Sequence, residues 1–82
     1  MHESSLMTSL LRHINDVARQ HTAARVARVD LKVGALLSIT PDHLRHHFAE
    51  AAHGTPAEGA QVHVRLTDEL TGLELESVEV AS

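Results

Sequence analysis

Apolar residues in this chain switch between two spacings, and the alternation restricts the fold more than any other feature. From Ser5 to about His21, Leu6, Met7, Leu10, Leu11, Ile14, Val17 and Ala18 recur at three- and four-residue steps, the period of an amphipathic helix. Ser4 or Ser5 can cap its start by accepting a hydrogen bond from a free backbone N–H. In RVARVDLKVGAL the period falls to two. Ala27, Val29, Leu31 and Val33 take one side and Arg28, Asp30 and Lys32 the other, until Gly34 breaks the pattern.

The longer period returns in TPDHLRHHFAEAAHG, where Thr40 stands as N-cap, Pro41 at the first helical position and Gly54 as the stop. The apolar stripe of this second helix is Leu44, Phe48, Ala51 and Ala52. A second one-sided strand follows in AQVHVRL, with Val62, Val64 and Leu66 facing inward. TDELTG is short enough for a hairpin turn around residues 67–72, so LELESVEV returns antiparallel. Leu73 and Leu75 share one parity and Val78 and Val80 the other, which a bulge near Glu76 and Ser77 repairs.

The order is therefore helix, strand, helix, strand, strand, an α/β (α+β) fold. Because every strand has a polar face, both helices belong on the same side of the sheet. The expected architecture is a small two-layer sandwich, αβαββ, with a three-stranded mixed sheet. Its 82 residues make a single domain, 1–82, near the lower size at which one apolar core suffices. The only aromatic residue is Phe48, so the core is aliphatic and thin.

Composition removes several functions. Without cysteine there are no disulfides, thiolate zinc sites, iron–sulfur ligands or cysteine nucleophiles, and any metal must bind through nitrogen or oxygen. The formal net charge is −4 and the seven basic residues are scattered, which leaves no footprint for nucleic acid. No apolar run approaches the roughly 20 residues of a membrane span, and MHESSLM lacks the basic start of a secretory signal, so a cytoplasmic location is expected. No serine lies in a glycine elbow and no glycine loop cradles phosphate, so no catalysis is expected.

Eight histidines remain. His43, His46 and His47 cluster on the second helix, where His43 and His47 are one turn apart and can grip a transition metal from one face. HLRHH lacks the glutamate of the metalloprotease pattern, and solvated boundary histidines are the competing reading. His2 differs. The amine of Met1, the backbone nitrogens of His2 and Glu3 and the His2 imidazole lie along one short stretch and can close linked chelate rings around one ion. Four nitrogens in a plane suit Ni(II) or Cu(II) better than tetrahedral Zn(II).

The chain resembles the HypA/HybF family of nickel-incorporation metallochaperones. The resemblance rests on MHESSLMTSLL, ARVARVDLKVGALLSITPDHLRHHF, HGTPAEGAQVHV and LTGLELESVEV, nearly the whole length. It implies the αβαββ fold and Ni(II) bound at the N-terminus by Met1, His2 and Glu3; His43, His46 and His47, read from their spacing alone, stay weaker metal candidates. It also implies partners: a maturation GTPase, or the precursor of a nickel enzyme such as NiFe hydrogenase. Family members carry a zinc module with two cysteine pairs between the last two strands. Here that place holds only TDELTG, so no zinc is expected. The alternative is a metal-independent regulatory module that keeps the fold and docks to a maturation partner.

Overall fold

The computed structural model describes residues 3–35, 39–68 and 72–81, with side chains from Leu6 onward. The elements are α1 (Glu3–Gln20), β1 (Arg25–Gly34), α2 (Pro41–Ala52), β2 (Gln61–Thr67) and β3 (Leu73–Ala81), the order expected from the periodicity. Helix α1 starts earlier than the capping residues suggested. Ser4 and Ser5 lie within it. Its buried stripe is Met7, Leu10, Leu11, Ile14 and Ala18. Leu6 and Val17 sit about 80–100° around the helix from the centre of that stripe, at 3.6 residues per turn, and Leu6 is 41% exposed. The helix ends in a Schellman arrangement: Ala23 N–H donates to Ala18 O (2.9 Å) and Thr22 N–H to Arg19 O (3.0 Å), with Thr22 at φ +54°.

Helix α2 begins as its sequence dictates. The Thr40 hydroxyl accepts from the His43 backbone N–H at 3.1 Å, Pro41 opens the first turn, and the chain leaves through Gly54 at φ +79°. Leu44, Phe48 and Ala52 are buried, whereas Ala51 is exposed, a correction to the expected stripe. Ala51 shares the helix face by spacing, but it sits at the flank, where the opposing layer does not cover it.

Strand β1 is the middle of the sheet, in the order β2-β1-β3, parallel to β2 and antiparallel to β3. The expected hairpin is therefore corrected. β3 runs antiparallel as anticipated but pairs with β1, and the connection around 67–72 passes from one edge of the sheet to the other. Gly34 N–H donates to Gly72 O (2.9 Å), fastening the end of β1 to the start of β3.

The ladder between β1 and β3 skips Glu76, between the pairs Asp30–Ser77 and Leu31–Leu75, which is the bulge the parity break called for. A second shift skips Ala27, between Val26–Val80 and Arg28–Glu79. It turns Val26 into the core and leaves Ala27 only half-buried, against the strict alternation read from sequence.

The core gathers Val26, Val29, Leu31 and Val33 of β1 under both helices, with Phe48, Ile14 and Leu44 among its largest fully buried members; among the described residues no polar or charged residue is classed with it as buried. Val62, Val64, Leu73, Leu75, Val78 and Val80 close it from the two edge strands. Leu66 is 52% exposed, because an edge strand is flanked on one side only.

Candidate metal site

The residues expected to hold nickel divide into two groups. Met1 and His2 lie outside the described residues. Glu3 enters only through its backbone, as the first residue of α1. The groups whose geometry is visible stand on α2, across from the start of α1. Met7 and Thr8 of α1 and His47, Glu50 and Ala51 of α2 line an open groove of about 270 Å³ between the helices. Met7 is four residues into α1, about 6 Å along the axis from Glu3 at 1.5 Å per residue, so the groove adjoins the amino end of the helix.

The α2 histidines are not equivalent. The rings of His43 and His47 lie 4.5 Å apart centre to centre, tilted by 47°. His46 meets His47 edge-on at 6.4 Å, and its Nε2 lies 3.5 Å from Glu50 Oε2. Among the described residues no three histidine or carboxylate groups converge to hold an ion. Glu50 was not singled out from sequence, although its i, i+4 spacing from His46 carried the signal.

Two of the other histidines have neighbours elsewhere in the fold. His53 Nδ1 lies 3.0 Å from Glu58 Oε2, while Glu58 Oε1 accepts from Gly54 N–H at 3.1 Å. That backbone donor, with His53 beside it, holds the Glu58 carboxyl below its usual range. His63 lies on the solvent face of the sheet as the register partner of Asp30.

On that face Asp30 accepts from Ser77 Oγ (2.5 Å) and Arg28 Nη2 (2.9 Å), in that order the main causes of its lowered pKa. Ser77 and Arg28 thus both donate to the one Asp30 carboxylate, in a polar network on the solvent face of the sheet. Arg65 Nη2 to Glu76 (2.6 Å) and Lys32 Nζ to Glu74 (3.4 Å) continue the network, and the Arg65 hydrogen bond lowers the Glu76 pKa. The carboxyl-terminal acids are thereby partly neutralised within the chain. Among the described residues no helix is long and apolar enough to cross a membrane.

Comparison with known proteins gives these features a family. A model described as "Hydrogenase/urease nickel incorporation, metallochaperone, hypA" matches residues 1–72. The hydrogenase maturation factor HypA of Chlorobium limicola is 42% identical over 64 residues, covering 78% of this chain and 55% of the relative. That of Methanopyrus kandleri is 39% identical over 66 residues, covering 80% and 46%. The chain thus spans about half the length of the curated relatives it matches. In fold it is similar to the solution structure of the Ni metallochaperone HypA from Helicobacter pylori, with a TM-score of 0.83 at 14% identity over 100% of this chain and 99% of that one. A second solution structure, of a HypA protein, gives 0.72 at 15% identity, covering 98% and 96%. The match over residues 1–72, on a two-helix, three-stranded αβαββ fold, makes this chain a member of the HypA family of nickel-incorporation metallochaperones.

Proposed function

We propose that the chain is a nickel-binding metallochaperone-like protein that carries Ni(II) as cargo for the maturation of a nickel enzyme such as NiFe hydrogenase. The observation that carries this reading is the family match over residues 1–72, a span that includes Met1, His2 and Glu3. The ligands are the Met1 amine, the backbone nitrogens of His2 and Glu3 and the His2 imidazole. Capture requires a neutral imidazole and loss of protons from the amine and the two amides, so reprotonation supplies a route to release. The cargo moves to the enzyme precursor or to a maturation GTPase in the cytoplasm, and the chain performs no catalysis. With no cysteine present, a thiolate zinc site has no donors in this chain.

Two titrations test the terminal site. An N-terminal extension of several residues removes the amine from the imidazole; affinity for Ni(II) should drop at least tenfold, and unchanged affinity would refute the assignment. A single added residue is unsuitable, because it would create a different nitrogen-rich chelate ending at the same imidazole. In the native chain affinity should also fall steeply between about pH 7 and 6, where an ordinary histidine protonates. A level profile to about pH 5 would transfer the binding to carboxylates.

The metal-independent alternative draws on one feature of the fold. Among the described residues the core cluster is made of apolar side chains, so its packing does not depend on an ion. A regulatory module docking to a maturation partner through this surface would bind that partner equally well with and without chelator.

A further inference from the structure

We propose that His43 and His47 form a second divalent-metal site, independent of the terminal chelate, on the solvent side of α2. Three observations support it. The two residues are one helical turn apart on one face, the spacing at which paired histidines on a helix share an ion. Their ring centres are 4.5 Å apart. Two imidazoles bound cis to one ion at ~2.1 Å metal–nitrogen distances would hold their ring centres about 4.5 Å apart, so the observed separation already matches that of a shared ion. His47 also lines the open groove with Glu50 and Thr8, which leaves room and oxygen atoms for water ligands.

His46 is excluded from the pair by the same geometry. Its ring meets His47 edge-on at 6.4 Å and leans toward Glu50 instead. Two imidazoles with water in the remaining positions make an octahedral site for a borderline first-row cation, Ni(II) among them, weaker than a four-nitrogen chelate. Its place beside the groove at the amino end of α1 suits an ion being collected before tighter capture, and this role, unlike the site itself, rests on the terminal reading.

The test uses the untagged full chain carrying the N-terminal extension, titrated with NiCl2 and followed by absorption spectroscopy. The expected result is one Ni(II) per chain with a six-coordinate spectrum. His43→Ala or His47→Ala should weaken it at least tenfold, and His46→Ala less than twofold. Alanine favours helix more than histidine does, and circular dichroism of each variant confirms that α2 is intact. Loss of all nickel binding in the extended chain overturns the second site while leaving the terminal one standing. A six-coordinate ion that survives both His43→Ala and His47→Ala also overturns it. Identical six-coordinate binding in native and extended chains, abolished by His47→Ala, supports the second site and defeats the terminal reading.

Discussion

The two sides of α2 differ in almost every respect. One side presents Leu44, Phe48 and Ala52 to the core, all at 2% exposure or less. The other presents His43, His46 and His47, of which His47 lines the groove. Twelve residues thus serve two purposes with no residue in common. The packing of α2 rests on its apolar side, so the metal-competent side chains on the other are expected to change without disturbing it.

The strongest way to break that division is from the apolar side. Phe48→Ala should cost about 3–5 kcal/mol, a large share of the stability of so small a domain, read as a loss of cooperative melting. A cost below about 1 kcal/mol would mean that the core does not converge on α2. A smaller effect is expected on acidification. Asp30, Glu58 and Glu76 have lowered folded-state pKa values, so their contributions are present above the unfolded values and are lost as pH falls through the folded ones. Urea midpoints should hold from neutrality down to about pH 5 and decline below about pH 4. Because these carboxyls lie on exposed surfaces, added salt should shrink the decline.

Thr22→Gly should stabilise by about 0.5–1 kcal/mol, since a β-branched residue at positive φ is strained and glycine is not, less the extra freedom glycine has when unfolded. The smallest effect sharpens the comparison most. His43→Ala and His47→Ala should move the melt by no more than about 0.5 kcal/mol while changing nickel binding. A larger loss of stability would show that the two sides of α2 are coupled.

Much of this arrangement was legible in the sequence. Thr40, Pro41 and Gly54 delimit α2 because capping is local chemistry, and the parity break between Leu75 and Val78 located the bulge at Glu76. What escaped depends on tertiary partners. Nothing in RVARV distinguishes Val26 from Ala27 as the buried residue until β3 imposes its register. A short TDELTG connection reads as a hairpin because sequence spacing carries no information about β1 lying between the joined strands. Leu66 and Ala51 were assigned inward by periodicity, but exposure at a sheet edge or helix flank is decided by how far the opposing layer extends. The groove joining Met7 and Thr8 to His47 and Glu50 brings residues together from two helices, beyond the reach of spacing within either. The terminal chelate has a different basis: its donors are consecutive in sequence, so Met1, His2 and Glu3 suggested it without any fold.

The most direct measurement follows from that contrast: the absorption spectrum of the native chain and of His2→Ala titrated with Ni(II) at neutral pH, with thermal melts recorded on the same samples. The account predicts a diamagnetic, square-planar nickel band in the native chain that His2→Ala abolishes, with the two apo melts superimposable because the core cluster is built from apolar side chains of the helices and strands. A square-planar band that persists in His2→Ala, or an apo melt that collapses with it, would contradict the account.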